Sequence, residues 1–324
     1  MFQIVFRIPF LNLPIYGYGL MLVVAFLACV TVAKAMARRV NLDGELFVNA
    51  ALIALITGVA GARLSHVLEN WGTFTDPERS FKENFLDAIN IRGGGLTFYG
   101  GFILATPCCI AYALRHRLPL LKSMDIVAVV LMVGLGIGRI GCYLNGCCYG
   151  EICTPRYGAA LMEFPYFSNA YIDQFNRGLI DPPPELLKHL PSGGVILKDW
   201  GEVRADGLTD LANQQKSLPV QPTQLYSCFT ALLLAALLYA YWTLPHVDGR
   251  VFALMMLLEG PSRFILELIR VEPAVIVARI GGIPIDMSLS MVLGLAIFFA
   301  GGMLWLALGW RKSLKNQQIL APAH

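Results

Sequence analysis

The chain has 324 residues, 56% of them hydrophobic and only 15% charged, and its mean hydropathy is +0.60. Soluble domains carry about 25% charged residues, so this balance points to the lipid bilayer as solvent. The net charge of +3 is small and no lysine/arginine cluster forms a phosphate-tracking stripe, which excludes nucleic acid as a partner.

At the N-terminus, MFQIVFRIPF has neither a basic leader nor a small-residue cleavage site, so the first apolar segment is expected to stay as an anchor. The stretch IPFLNLPIY reads as a short amphipathic piece in the interface. A hydrocarbon core of about 30 Å needs roughly 20 apolar residues as helix. That ruler predicts about seven spans, near residues 16–38, 47–69, 94–114, 124–145, 223–243, 250–270 and 286–310. Lys34, Arg38 and Arg39 follow the first span, Arg115, Arg117 and Lys122 the third, and Arg311, Lys312 and Lys315 the last, while Arg250 precedes the sixth. Such residues are retained on the cytoplasmic side, which puts the N-terminus outside and the C-terminus in the cytoplasm. Residues 151–222 form the one large hydrophilic segment, with Pro182-Pro183-Pro184 and Gly193-Gly194, and the same topology places it outside. The expected organisation is an all-α polytopic membrane protein: residues 1–150 with four spans, 151–222 as an extracytoplasmic insert, and 223–324 with three spans and a cytoplasmic tail.

Two glycine-rich stretches stand out. Gly134, Gly136 and Gly138 suit close helix packing. The run Gly93-Gly94-Gly95-Leu96-Thr97-Phe98-Tyr99-Gly100-Gly101, where a loop enters the third span, is denser than packing requires and could let backbone amides approach an anion. Of eight cysteines, Cys142, Cys147, Cys148 and Cys153 cluster, but their spacing matches no zinc pattern. A disulfide or small packing residues are expected there, with neither a metal nor a cofactor.

Ionisable residues inside spans cost at least about 2.5–3.5 kcal/mol each at the helix centre, so they need partners or a wet cavity. The sixth span carries Glu259, Arg263, Glu267 and Arg270, and the spacing sets Arg263 between two carboxylates, one turn away on either side. Arg139, near the outer end of the fourth span, has no acidic residue within a turn; its planar fork suits a phosphate. Arg63 in the second span is a weaker instance. Tyr18, Tyr143 and Tyr149 read as interface anchors, whereas Tyr99 sits in the glycine-rich run, where a phenol could take part in proton transfer.

The run Gly138-Arg139-Ile140-Gly141…Asn145-Gly146…Gly150 resembles the signature of the bacterial prolipoprotein diacylglyceryl transferases. So do, in the same chain order, Tyr16-Gly17-Tyr18-Gly19-Leu20-Met21, Gly61-Ala62-Arg63, Gly94-Gly95-Leu96-Thr97-Phe98-Tyr99-Gly100-Gly101, Gln221-Pro222-Thr223-Gln224-Leu225-Tyr226 and Arg263-Phe264-Ile265-Leu266-Glu267. The resemblance implies an enzyme of the bacterial inner membrane. It would move the sn-1,2-diacylglyceryl group of phosphatidylglycerol to the lipobox cysteine thiol of a prolipoprotein signal peptide and release glycerol 1-phosphate. It implies Arg139 on the headgroup, Arg263 with Glu267 as a catalytic ion pair, and Tyr18 as a polar contributor. Tyr99 is a candidate relay, and Arg63, Gly94, Gly95, Gly100, Asn145 and Gly150 complete the implied substrate site. The family signature has asparagine where Cys142 stands and glutamate where Cys147 stands, and histidine where Tyr99 and Gln221 stand. Two other classes stay open: a non-catalytic carrier or flippase for anionic membrane lipid, and a membrane thiol oxidoreductase built on the cysteines.

Overall fold

The computed structural model describes residues 4–8, 13–75, 80–90, 95, 97–153, 161–190, 193–270, 276–280 and 283–320. Its elements run β1 (Ile4–Ile8), β2 (Leu13–Tyr16), α1 (Gly17–Arg39), α2 (Gly44–Glu69), α3 (Trp71–Phe74), α4 (Phe81–Ile89), α5 (Phe98–Arg115) and α6 (Leu120–Asn145). There follow α7 (Asn169–Asn176), β3 (Leu187–His189), β4 (Val195–Leu197), α8 (Trp200–Ala205), α9 (Thr209–Gln214), α10 (Thr223–Trp242), α11 (Arg250–Glu267), β5 (Ile276–Ile280), β6 (Ile283–Met287) and α12 (Leu289–Leu320).

Among the described residues five helices, α1, α2, α6, α10 and α12, are long and apolar enough to cross a membrane, so the chain is a mostly helical, multi-pass membrane protein. Helices α5 and α11, each 18 residues long, occupy the other two predicted spans, and α11 gives four positions to Arg250, Glu259, Arg263 and Glu267. The helical architecture expected from the sequence is joined by strands that it did not include. Three antiparallel hairpins, β1 with β2, β3 with β4 and β5 with β6, interrupt the helices, and the first replaces the expected N-terminal amphipathic piece. A hairpin is stabilised by pairing between two short segments, so neither strand alone reaches the length that hydropathy detects.

The chain divides into two compact units, residues 30–127 and residues 1–29 with 128–324. In the first, α2 packs on α5 through glycine. A Cβ at Gly61 would lie 2.5 Å from the Gly100 carbonyl oxygen, and one at Gly101 2.7 Å from that of Gly58. Small residues let helix backbones meet where lipid supplies no hydrophobic drive. Between these helices Arg63 ties down the loop: Nε donates to the Ala88 carbonyl at 2.8 Å, Nη2 to Asp87 at 2.6 Å and Nη1 to Gly95 at 3.1 Å.

In the second unit α11 and α12 meet the same way, with a Cβ at Gly260 falling 2.6 Å from the Gly294 carbonyl oxygen. The hydrophilic insert is a small folded body. Tyr166, Tyr171, Leu186, Leu197, Val203 and Ala212 form its core, and the Tyr166 hydroxyl donates to the Lys198 carbonyl at 2.8 Å. Buried Gln174 pins the Leu218 backbone, whose N–H donates to Oε1 at 2.7 Å.

Candidate active site

The Gly138–Gly150 run forms the end of α6 and the turn after it. Gly146, at φ 70°, stops the helix in the left-handed conformation that favours glycine, and Cys147 N–H donates back to the Cys142 carbonyl at 3.1 Å. Cys148 is also left-handed, at φ 60°, which a non-glycine residue adopts only under constraint. The first turn of α10 supplies it: Thr223 Oγ1 donates to the Cys148 carbonyl at 2.7 Å and Gln224 Nε2 to the Cys147 carbonyl at 2.8 Å. Gly150 then bridges antiparallel to Arg270 and donates its N–H to the Gln221 carbonyl at 2.9 Å. A Cβ there would lie 2.7 Å from both the Ile269 carbonyl oxygen and Thr223 Cγ2, so only glycine fits.

This turn and three helices enclose a cavity. Arg139 and Leu135 enter it from α6, Thr223, Ser227 and Ala231 from α10, and Glu259, Ser262, Arg263, Leu266 and Glu267 from α11, with Cys148 and Arg270 closing it. Three guanidinium groups face two carboxylates across partly apolar walls. Glu267 is 6% exposed; it accepts a hydrogen bond from Ser288 Oγ at 3.0 Å and pairs with Arg270 Nη1 at 3.5 Å. The expected Arg263–Glu267 ion pair is therefore corrected to Glu267–Arg270, because Glu267 turns to the residue three positions on, past the end of α11. Neither Arg139 nor Arg263 has a hydrogen bond or ion pair among the described residues, although both guanidinium groups lie in the cavity wall. Two half-buried forks whose hydrogen bonds are not spent on the protein make a site for an anion such as a phosphate, beside the Glu259 carboxylate that both attract. The Cys148 thiol is held below the ordinary range by hydrogen bonds from Cys142 and Cys147, with Arg270 and Arg139 adding to the effect.

The sequence model of the prolipoprotein diacylglyceryl transferases matches residues 3–307. The chain belongs to that family. Proteins named phosphatidylglycerol–prolipoprotein diacylglyceryl transferase are similar to it. The one from Clostridium tetani is 24% identical over 287 residues, 89% of this chain and 93% of the relative. The one from Burkholderia ambifaria is 26% identical over 310 residues, 94% of each. A third, from Rhodopirellula baltica, is 30% identical over 208 residues, which make up 63% of this chain but only 42% of that relative.

Within this transferase-family fold the residues expected at the site divide into two groups. Arg139, Arg263 and Glu267 converge on the cavity. Tyr18, 39% exposed, is absent from its lining and lies against Gly141, with Cδ2 3.1 Å from where a Cβ would stand. Asn145 reaches the Cys147 thiol, and Gly150 seats Arg270. Arg63, Gly95, Gly100 and Tyr99 belong to the residue 30–127 unit. There Arg63 spends its donors on carbonyls, Gly95 turns at φ 73° against His66, and Gly100 packs on α2, while Tyr99 is 40% exposed. Gly94 lies outside the described residues. Sequence reasoning named Glu259 and Arg270 among the charges of the sixth span but did not count them among the site residues, and it left out Ser227. All eight cysteines are free, so of the two roles expected for the cluster, a disulfide or small packing residues, the disulfide is not formed.

Proposed function

We propose that the chain transfers the sn-1,2-diacylglyceryl group of phosphatidylglycerol to the lipobox cysteine of a prolipoprotein, as the names of its relatives describe for them. The observation that carries this reading is the pair of arginines, Arg139 and Arg263, set in one cavity of a transferase-family chain with no hydrogen bond or ion pair among the described residues. In the reaction the thiol loses its proton, a sulfur–carbon bond forms, a carbon–oxygen bond breaks, and the electron pair leaves on the phosphate of glycerol 1-phosphate. Negative charge grows on that phosphate, where two preorganised guanidinium groups lower the barrier. Glu267 fixes Arg270 beside them, and the apolar wall of Leu135, Ala231 and Leu266 suits the lipid end of the donor. Tyr18, packed on Gly141 in the same unit, serves as a polar contributor at the edge of the substrate path.

The same reading takes all seven long helices as spans of the bacterial inner membrane, with the N-terminus outside and the C-terminus in the cytoplasm. Arg38 and Arg39 at the end of α1 and Arg115 at the end of α5 support it. The insert folded around Tyr166 then stands on the outer face, where secreted prolipoproteins arrive.

The test is mass spectrometry of a lipobox peptide incubated with the purified protein and phosphatidylglycerol vesicles. The expected product carries one diacylglyceryl group on cysteine, and a serine peptide stays unmodified. Movement of lipid between leaflets with no covalent product would instead establish a carrier.

A further inference from the structure

The cysteines where the family signature carries asparagine and glutamate have a use that packing does not explain. The sulfurs of Cys142, Cys147 and Cys148 all lie within 4.8 Å of one another. The fold works to bring them there. Cys142 sits in the last turn of α6, Cys147 follows the Gly146 stop, and Cys148 is held left-handed at φ 60°. Thr223 and Gln224 clamp the carbonyls of Cys148 and Cys147, and Asn145 reaches the Cys147 thiol, so the ligand atoms have an orienting shell of their own. A disulfide would use two of the sulfurs and leave the third beside it, whereas a metal ion uses all three.

We propose that Cys142, Cys147 and Cys148 are the three protein ligands of a zinc ion whose fourth position takes the thiol of the incoming polypeptide. Zinc binds thiolate at about 2.3 Å in tetrahedral geometry, which separates sulfurs by about 3.8 Å, about an ångström inside the limit seen here. Soft thiolates select zinc or copper(I), and a site with three protein ligands and one open position is the arrangement of catalytic zinc. Three thiolates and one divalent cation carry a net charge of −1, and Arg139 and Arg270 line the same cavity as Cys148 to compensate it. The fourth-ligand part rests on the transferase reading. A thiol that coordinates zinc gives its proton to solvent and remains a thiolate. That thiolate sulfur then forms the bond to the glycerol carbon as the carbon–oxygen bond breaks and its electron pair leaves with the phosphate. Tyr99 and Gln221 stand where the family has histidine, and a metal-held thiolate requires no such base.

The experiment loads the full-length protein, purified in detergent under reducing conditions, with zinc or cobalt(II). One ion per chain is expected after desalting, with a thiolate-to-cobalt charge-transfer band in the near ultraviolet. Both should fall at least tenfold in Cys147→Ser and in the triple Cys142→Ser/Cys147→Ser/Cys148→Ser variant, and persist in Cys109→Ser. Adding a lipobox cysteine peptide should shift the cobalt bands, and a serine peptide should not. Metal content equal in the wild type and the triple variant would overturn the site, and copper recovered in place of zinc would overturn the choice of ion. Bands that ignore the cysteine peptide would overturn the fourth-ligand role. If the triple variant lipidates peptide at the wild-type rate, the zinc role fails while the transferase reading stands. If the bands shift but the loaded wild-type protein forms no product, the transferase reading fails and the metal site stands.

Discussion

Replacing Arg139 by alanine separates a substrate-binding arginine from a structural one. The guanidinium lies in the cavity wall with no hydrogen bond or ion pair among the described residues, so its removal breaks no such bond and takes away only its longer-range attraction to groups such as Glu259 and Cys148. A fork on a phosphate makes two charge-assisted hydrogen bonds, each about 1.5–3 kcal/mol, or about 3–6 kcal/mol together. At about 1.36 kcal/mol per decade, kcat/KM should fall about 10²- to 10⁴-fold. Arg139→Lys keeps the charge and loses the fork, which corresponds to one hydrogen bond and a loss of about 10- to 100-fold. Thermal unfolding in detergent should stay within about 0.5 kcal/mol of the parent for both variants. Glu267→Ala supplies the contrast. It removes the carboxylate that Arg270 and Ser288 bind in a site where Glu267 is 6% exposed, and breaking a buried pair costs about 3–5 kcal/mol, so stability falls with activity. The assay is the initial rate of peptide lipidation in phosphatidylglycerol vesicles, run beside fluorescence-monitored melting. Activity of Arg139→Ala within about threefold of the parent, or a melt as damaged as that of Glu267→Ala, would refute the reasoning.

Gly260→Ala drives a Cβ to 2.6 Å from the Gly294 carbonyl oxygen and 2.9 Å from the Phe298 backbone nitrogen. Backbone cannot give way as a flexible side chain does, so a loss of about 1–3 kcal/mol is expected in detergent unfolding. At Gly138 nothing lies within 4 Å, and Gly138→Ala should be neutral or slightly stabilising in the same measurement. Arg63→Ala removes three bonds to the carbonyls of Asp87, Ala88 and Gly95, and limited proteolysis should cut between α3 and α5 sooner than in the parent. Burial pushes the Tyr166 hydroxyl up to about 12 from 10.0. A raised pKa means that the folded insert favours the protonated phenol, so this stabilisation is complete below pH 10 and is lost between about pH 10 and 12. At about 1.36 kcal/mol per pKa unit it amounts to roughly 2–3 kcal/mol. Near-ultraviolet circular dichroism against pH should show the insert loosening in that window, and Tyr166→Phe should weaken the dependence, leaving the part due to Tyr171, which burial also raises.

The bilayer leaves its mark on local sequence, because each span must be apolar along its own length whatever it packs against. For that reason the positions of α1, α2, α6, α10 and α12 are legible in the amino-acid sequence, and so are the charges on α11, which lipid makes too costly to be incidental. Arg139 is legible as well, since a helix that offers it no acid within a turn leaves its anion to come from elsewhere.

What the local pattern could not contain was pairing between distant segments. The three hairpins depend on partners, and the pairing of β5 with β6 had no counterpart in the sequence reading. The partner of Glu267 depended on where the chain turned after α11: spacing favoured Arg263 four residues back, and the bridge from Gly150 to Arg270 decided for the residue three ahead. The glycines at 100 and 101 read along the chain as an anion cradle, whereas in the fold α2 lies against them. The cysteines are the clearest case. Along the chain Cys142, Cys147 and Cys148 match no metal pattern, because metal patterns assume regular turns between ligands. A left-handed Gly146, a left-handed Cys148 and two clamps from the first turn of α10 fold those uneven spacings into one triangle of sulfurs, and only tertiary contact could do so.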